Sequence, residues 1–152
     1  MTIQIMSKGL GSTASLAGEV WGQLEREVTT RTGAVVLGLR GDLGSGKTTF
    51  TQALAKAAGV ETDLTSPTFV LAKRYPLVGK KFENLIHLDC YRLESPEEIL
   101  SIGWEEWLVG NNLLVVEWPE KIEKYLPTDI LRMDFEFIDE NTRKINLPKF
   151  LQ

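Results

Sequence analysis

A glycine-rich segment carries the clearest chemical signal in the chain. Residues 41–48 spell GDLGSGKT and match the phosphate-binding pattern G-x-x-x-x-G-K-S/T at every fixed position. In such a loop the glycines let backbone N–H groups turn inward around a β-phosphate, Lys47 reaches the β and γ oxygens, and the hydroxyl of Thr48 binds magnesium. The alternative is a glycine turn with no ligand. The match also falls between a predicted strand and a predicted helix, so we predict a P-loop.

Two acidic residues end apolar runs elsewhere in the chain. Glu117 follows the run 113–116, and Asp89 ends the segment that begins at Leu85. Ligands of open α/β sheets bind beyond the carboxyl ends of the strands, and a P-loop site needs an acid there to hold magnesium or its water. We therefore predict that Glu117 and Thr48 hold the metal and that Asp89 converges on the same site. The alternative for each carboxylate is a solvated strand end.

The nucleotide and the reaction follow from the same residues. No Asn-Lys-x-Asp string occurs to bind guanine, so ATP with Mg²⁺ is the expected ligand. We expect slow hydrolysis, in which Asp89 orients or polarises water and Lys47 stabilises the transition state. One alternative is a non-catalytic module that uses nucleotide to order a partner site. A small-metabolite kinase is another, but a helix precedes the loop and no arginine-bearing lid is visible.

The P-loop requires a strand before it and a helix after it. Residues 34–39 form a short apolar, β-branched run, which is typical of a strand buried on both faces. Residues 47–58 are mostly good helix formers, and Gly59 is placed to end the helix. Upstream, apolar residues at helical spacing predict an amphipathic helix over residues 13–29 with Ser12 as its N-cap.

Further elements complete the expected sheet. Strands are predicted over residues 69–75, 85–89 and 113–117, and a short helix begins at Ser95, which forms a capping box with Glu98. Alternation over residues 131–137, a turn at 139–141 and a second run over 142–147 predict a half-exposed hairpin at a sheet edge. The expected fold class is α/β: one P-loop NTPase-like domain over residues 1–152, in three layers, with a mixed sheet flanked by helices and a C-terminal edge hairpin.

Composition limits the classes of function. A formal net charge of -4 and a pI near 5.1 argue against a broad cationic surface that binds nucleic acid unaided, so we expect no DNA partner and RNA only through a partner. The apolar runs are far shorter than the roughly 20 residues that span a bilayer, and residues 1–6 do not have the pattern of a signal peptide. The single cysteine, Cys90, cannot form an intramolecular disulfide. We expect a cytoplasmic protein that folds unaided and does not bind membranes.

Four segments in order support a family resemblance. They are GDLGSGKTT at 41–49, SPTF at 66–69, HLDCYRL at 87–93 and VEWP at 116–119. Together they resemble the TsaE (YjeE) family, over nearly the whole chain from about Thr13 to the hairpin. The resemblance implies the ATPase component of the bacterial machinery that makes N6-threonylcarbamoyladenosine at position 37 of tRNAs reading codons that begin with A. It also implies the TsaD and TsaB proteins as partners.

The resemblance also implies roles for particular residues. Thr48 and Glu117 would hold magnesium, and Asp89 would be needed for hydrolysis. The implied nucleotide-binding residues are Gly41, Leu43, Gly44, Ser45, Gly46, Lys47, Thr48, Thr49 and, near the adenosine, Leu10. Residues 66–69 would form a mobile segment that senses the γ-phosphate, the alternative being a turn that leads into a strand.

A few other side chains have two interpretations each. Tyr91 and Trp118 lie beside the carboxylates in sequence and belong either to the site or to the core. His87 and Cys90 are interpreted as packed strand residues rather than catalysts. The basic groups at 73–74 and 80–81 are interpreted as solvated charges, with a partner or tRNA contact as the alternative.

Overall fold

The computed structural model describes residues 3–27, 33–61 and 71–147 of the chain. The strands of these residues are β1 Ile3–Lys8, β2 Val35–Arg40, β3 Ala72–Pro76, β4 Asn84–Asp89, β5 Asn112–Glu117, β6 Leu131–Asp139 and β7 Thr142–Leu147. The helices are α1 Gly9–Glu27, α2 Lys47–Ala57 and α3 Trp104–Val109, with 3-10 segments at Pro96–Ile102 and Pro119–Tyr125. No helix among the described residues has both the length and the apolar character needed to cross a membrane.

All of these strands belong to one mixed sheet in the order β1-β7-β6-β2-β5-β4-β3. The central strands β6, β2, β5 and β4 run parallel, whereas β3, β7 and β1 pair antiparallel with their neighbours. Every residue of β5 is buried, which explains its continuous apolar run 113–116. The parallel register aligns Leu39 of β2 and Asp89 of β4 with Glu117 of β5. The carboxyl ends of three adjacent strands therefore meet beside the P-loop.

Helices cover both faces of the sheet. On one face α1 and α2 pack against the sheet around Leu24, Phe50 and Leu54, all fully buried. On the other face the two 3-10 segments and α3 pack around Ile99, Trp104 and Ile122. This arrangement confirms the α/β prediction of a mixed sheet flanked by helices. The capping box is also confirmed, since the side chain of Glu98 accepts from the backbone N–H of Ser95 at 3.0 Å, although the helix it opens is a 3-10 helix.

The start of the first helix differs from the prediction. Helix α1 begins at Gly9, so Ser12 lies inside it and is not its N-cap. The chain passes directly from β1 into α1 at Gly9, whose φ of 79° is left-handed and whose N–H donates to the carbonyl of Asn141 at 2.8 Å. The strand β1 was not predicted, because its pattern is short and half polar and its partner β7 lies at the other end of the chain.

The position of the hairpin also requires correction. Strands β6 and β7 do form the predicted hairpin. It is not at the sheet edge, however, because β6 pairs with β2 on one side and β7 pairs with β1 on the other. The edge strand on this side of the sheet is β1. The segment at residues 66–69, predicted to be a mobile switch, lies outside the described residues.

Candidate functional site

The predicted P-loop, residues 41–48, lies between the buried strand β2 and helix α2. Gly44 and Gly46 have left-handed φ values of 78° and 103°, which favour glycine. The backbone N–H of Phe50 donates to the carbonyl of Gly46 at 2.9 Å, so the helix begins immediately after the loop. The free N–H groups and the positive end of the α2 dipole therefore face the loop, which is a favourable position for a phosphate.

Gly41 lies where the loop approaches the sheet most closely. An added Cβ would lie 2.5 Å from the carbonyl oxygen of Phe135 and 2.7 Å from the hydroxyl of Ser45. That hydroxyl is buried and has no hydrogen-bond partner in the described part of the chain. The loop thus contains a cradle that only glycine fits and a buried hydroxyl available to a ligand.

Lys47 is buried at the centre of the site. It is 4% exposed, and its ammonium donates to the carbonyl of Gly41 and lies 3.7 Å from the centroid of the Trp118 ring. Burial lowers the pKa of Lys47, while the nearby carboxylates of Glu117 and Asp89 oppose that shift. A buried ammonium with few polar partners gains stabilisation from an anionic ligand.

Glu117 links the P-loop helix to the sheet. Its carboxylate is 2% exposed, and its Oε1 accepts from the hydroxyl of Thr48 at 3.1 Å. Its other oxygen, Oε2, lies 2.5 Å from Nε2 of His87, which is fully buried. The structure therefore brings Thr48 and Glu117 together, as the magnesium prediction requires.

Asp89 lies beside Glu117 at the end of the neighbouring strand, so the two strand-end carboxylates converge as predicted. Burial raises the pKa of Asp89, and the charge of Glu117 acts in the same direction, while the backbone N–H of Tyr91 donates to Oδ1 at 3.0 Å and opposes the shift. A carboxylate with a raised pKa in a cleft is a candidate for interaction with a reactive water.

These groups surround a cavity of about 850 Å³. Its walls comprise residues 43–49, the carboxylates of Asp89 and Glu117, and the side chains of Tyr91, Arg92, Trp118 and Arg143. Such a volume is typical of a small-molecule site. No group of three or more His, Cys, Asp and Glu side chains among the described residues is arranged to hold a metal ion by itself. The oxygens of Thr48 and Glu117 suit Mg²⁺, which is usually held by one or two carboxylates together with substrate phosphates.

The two aromatic residues with open interpretations belong to the cavity wall. Tyr91 is 42% exposed, and its ring centroid lies 5.0 Å from that of Trp118. Trp118 also packs against the core around Ile122, so this residue contacts both the cavity wall and the core. Its φ of 59° is the only left-handed value of a non-glycine residue in the described ranges. The interpretation of Tyr91 as a core residue is therefore wrong.

A smaller cavity of about 210 Å³ adjoins the first. Leu10, which is 76% exposed, lines it together with Ser7 and Thr13. Gly46, Thr49 and Arg143 line both cavities. The predicted nucleotide-binding residues other than Gly41 thus line these two adjoining cavities, with Leu10 in the smaller one, which contains neither carboxylate.

Sequence reasoning missed Arg143, which lies on β7 between the two cavities. Its Cγ would be 3.5 Å from a Cβ added to Gly46, and its Nη1 donates to the carbonyls of Asp139 and Thr142 at 2.6 and 3.1 Å. Its Nε is buried without a hydrogen-bond partner among the described residues. In the sequence it is one polar position of an alternating strand, so no local signal distinguishes it.

The remaining side chains are placed as follows. His87 and Cys90 are fully buried, as interpreted, His87 within β4 and Cys90 immediately after it, and burial raises the pKa of the Cys90 thiol to about 12. The contact of His87 with Glu117 was not foreseen. The basic groups at 73–74 and 80–81 lie on β3 and the following loop and line neither cavity.

Comparisons with known proteins connect this site to one family. The family model described as threonylcarbamoyl adenosine biosynthesis protein TsaE matches residues 11–145. Proteins named tRNA threonylcarbamoyladenosine biosynthesis protein TsaE include one from Rickettsia felis, 44% identical over 69% of this chain and 60% of the relative. Another, from Rickettsia prowazekii, is 41% identical over 73% of this chain and 75% of the relative.

A solved structure has the same fold. The crystal structure of Bacillus subtilis YdiB superimposes with a TM-score of 0.70 and 26% sequence identity, and the match covers 97% of this chain and 84% of that one. The family match includes the P-loop, both strand-end carboxylates and Arg143, whereas Leu10 lies just before it. Since the family model spans most of the chain, the protein belongs to the TsaE family of tRNA threonylcarbamoyladenosine biosynthesis proteins.

Proposed function

We propose that the protein binds ATP with Mg²⁺ on its P-loop and hydrolyses it slowly, in support of the formation of N6-threonylcarbamoyladenosine at position 37 of tRNA. The observation that carries this proposal is the convergence of Lys47, Thr48, Asp89 and Glu117 on one cavity in a chain of the TsaE family. Because the substrate of that pathway is tRNA, we place the protein in the cytoplasm.

The residues present fit the phosphates of a nucleotide. The loop offers backbone N–H groups, the buried ammonium of Lys47 and the buried hydroxyl of Ser45. Within the described residues that hydroxyl has no hydrogen-bond partner, and buried polar groups are normally satisfied. A triphosphate supplies acceptor oxygens to all of these donors, which supports phosphate binding at residues 41–49.

The oxygens of Thr48 and Glu117 fit a magnesium ion. They lie 3.1 Å apart, so both can contribute to one coordination shell or to waters within it. When bound, Mg²⁺ supplies positive charge that neutralises the charge developing on the phosphate oxygens. Thr48 and Glu117 would hold the ion, and the chain needs no further cluster of ligands for it.

Asp89 and Lys47 have complementary roles in hydrolysis. Asp89, at the cavity wall beside Glu117, accepts a hydrogen bond from a water and orients it. Lys47 donates to the oxygens on which negative charge accumulates. Trp118 and Tyr91 cover this end of the cavity and limit the access of bulk water.

The smaller cavity is the proposed site of the adenosine. Leu10 provides an exposed apolar surface there, and Arg143 separates it from the carboxylates while remaining within reach of both cavities. The shared residues Gly46 and Thr49 join the base end to the phosphate end. The absence of the guanine-binding string Asn-Lys-x-Asp from the sequence favours ATP over GTP.

Partners complete the activity. We propose that the TsaD and TsaB proteins associate with this chain and that tRNA is held by the assembly, because the net charge of -4 disfavours independent binding to nucleic acid. Single-chain NTPases that act without an arginine supplied by a partner turn over on the order of 10⁻⁴ to 10⁻² per second. Hydrolysis by the isolated chain is expected in that range, and the assembly is expected to accelerate it.

The experiment is a phosphate-release assay on the purified protein, alone and with TsaD, TsaB and tRNA. Lys47→Ala should abolish the stimulated rate, whereas Lys56→Ala, on the exposed side of the same helix, should preserve it. Fast turnover by the isolated chain that the partners leave unchanged contradicts partner activation. ATP binding without stimulated hydrolysis favours the second candidate, a nucleotide-dependent binding module that uses the same cavity without chemistry.

A further inference from the structure

A buried histidine contacts the strand-end carboxylate of Glu117. Nε2 of His87 lies 2.5 Å from Oε2 of Glu117, and both side chains are removed from solvent, at 0% and 3% side-chain exposure. His87 is the only histidine of the chain. Neither the P-loop pattern nor the family match assigns it a role.

The sheet register explains this contact. His87 pairs with Val115 in the parallel ladder of β4 and β5, and two residues further along Asp89 pairs with Glu117. Successive side chains of a strand alternate between faces, so His87 and Asp89 share a face. That is the face on which helix α2 packs, since Val115 belongs to the same core cluster as Phe50. The imidazole therefore lies directly behind the carboxylate, on the side away from the cavity opening.

The two oxygens of Glu117 have different partners. Oε1 accepts from the hydroxyl of Thr48 at 3.1 Å, and Oε2 accepts from His87. The terminal torsion of a glutamate is broad and nearly two-fold, so an unsupported carboxylate rotates easily. Hydrogen bonds to both oxygens fix the plane of the group. Oε1 is thereby kept beside Thr48 at the wall of the cavity.

The surroundings of His87 also specify its proton. Nδ1 is buried and has no hydrogen-bond partner among the described residues. A buried N–H without an acceptor is costly, which disfavours a proton on Nδ1. A proton on Nε2 instead has the carboxylate of Glu117 as its acceptor. This tautomer makes His87 a donor to Glu117.

We propose that His87 is a positioning residue, which orients the Glu117 carboxylate so that Oε1 and the Thr48 hydroxyl together receive the metal ion of the nucleotide. The inference rests on the proposed function for the identity of the ion. His87 contacts neither the nucleotide nor the metal, and it acts only through Glu117. Partners of metal-binding carboxylates typically change metal affinity or activity by about 10- to 100-fold when removed.

Three substitutions distinguish a role of His87 in positioning the Glu117 carboxylate from a role in packing the core. His87→Leu removes the donor and keeps apolar bulk, whereas His87→Gln returns an N–H donor near the position of Nε2. Leu85→Val alters the packing of the same strand and the same face without reaching the carboxylate, since Leu85 lies in the core cluster and pairs with Leu113. The measurement is the affinity for ATP by calorimetry, in excess Mg²⁺ and in excess chelator, with the unfolding midpoint of each variant recorded.

The expected result is a selective loss. In His87→Leu the strengthening of ATP binding by Mg²⁺ should fall by about 10-fold or more. Its affinity in chelator should stay within about two-fold of the original, since the loop donors are unchanged. His87→Gln should recover most of the magnesium effect, and Leu85→Val should keep it. An unchanged magnesium effect in His87→Leu overturns the proposal, as does an equal loss in all three variants.

A second readout does not depend on nucleotide. Because the chain has one histidine, its imidazole ¹⁵N signals are unambiguous. The nucleotide-free protein should show the tautomer protonated on Nε2, and Glu117→Leu should shift the Nε2 signal. A ring protonated on Nδ1, or a signal insensitive to Glu117→Leu, overturns the inference. If the original protein binds no ATP, the proposed function fails by that result, while the imidazole spectrum still decides whether His87 holds Glu117.

Discussion

Replacement of Gly41 by alanine tests how tightly the P-loop is fitted to the sheet. The new Cβ would lie 2.5 Å from the carbonyl oxygen of Phe135, 2.7 Å from the Ser45 hydroxyl and 3.1 Å from the Cβ of Phe135. Phe135 cannot yield easily, because it is 5% exposed and its ring packs 5.6 Å from that of Phe50 in the core. Either β6 or the loop must move.

The expected loss of stability in Gly41→Ala has two contributions. Forcing an extra methyl group into a packed region costs about 1 to 3 kcal/mol. A non-glycine residue at the φ of +155° observed for Gly41 adds about 1 to 3 kcal/mol of backbone strain. We expect Gly41→Ala to lower the free energy of unfolding by about 4 kcal/mol. At roughly 0.05 to 0.15 kcal/mol per residue, a chain of this size retains a folded population after that loss.

Gly44→Ala is the matched control within the same loop. Gly44 has a left-handed φ of +78°, but an added Cβ meets nothing within 4 Å. Only the strain of the left-handed conformation remains, about 1 to 2 kcal/mol. The two substitutions are chemically identical, so the difference between them isolates the contact with β6.

The assay is urea unfolding of the nucleotide-free protein, followed by tryptophan fluorescence, with the same denaturant slope required of each variant. Gly41→Ala should also bind ATP more weakly than Gly44→Ala, since the displaced loop no longer aligns its donors. Equal destabilisation by the two variants would refute the reasoning. A loss of less than about 1 kcal/mol in Gly41→Ala would do the same, because that is smaller than the strain expected without a clash.

Two further predictions concern charges at the cavity. Burial raises the pKa of Asp89 in the folded protein, so its ionised form costs stability at neutral pH. That cost begins to fall as the pH drops below the raised pKa, and it is gone below the ordinary pKa that the group has in the unfolded chain. Asp89→Asn still accepts from the Tyr91 N–H and should slow hydrolysis by about 10²- to 10⁴-fold. The nucleotide-free variant should melt no lower than the original protein at pH 7, and any stability advantage should shrink towards acid pH. A melting temperature well below that of the original protein contradicts this assignment. Arg143→Met should weaken ATP binding by about tenfold in calorimetry, a loss of about 1.4 kcal/mol, since Arg143 lines both cavities. Lys144→Met removes a partly exposed ion pair with Glu136, and Lys144 lines neither cavity, so the affinity should stay unchanged. An equal loss in both variants would indicate a general charge effect.

Much of this site can be predicted from short sequence patterns, because several of its parts are encoded within a few consecutive residues. A P-loop is a continuous segment between a strand and a helix, so its place in the fold follows from its sequence. Glu117 and Asp89 each end a buried parallel strand, and the carboxyl ends of such strands share one edge of the sheet. Both predictions therefore depend only on patterns of a few neighbouring residues.

Other features depend on pairings between distant segments. Strand β1 is stabilised by β7 from the opposite end of the chain, so its own pattern carries little signal. The local pattern predicts the hairpin at the sheet edge, because nothing near it in sequence indicates that β1 pairs with β7. The roles of His87 and Arg143 arise in the same way, since each acts through a neighbour that only the folded sheet brings near.

Trp118 shows most clearly why local rules fail at this site. A bulky residue with φ of 59° costs about 1 to 2 kcal/mol relative to an ordinary conformation, so propensity argues against this backbone. Its surroundings impose the conformation: the N–H of Trp118 donates to the carbonyl of Leu39, and Pro119 packs against Gly38. The resulting turn places the indole 3.7 Å from the ammonium of Lys47 and against Tyr91. Strain of this kind persists only where the surrounding structure enforces it, and here it lies beside the carboxylate of Glu117 at the proposed metal site.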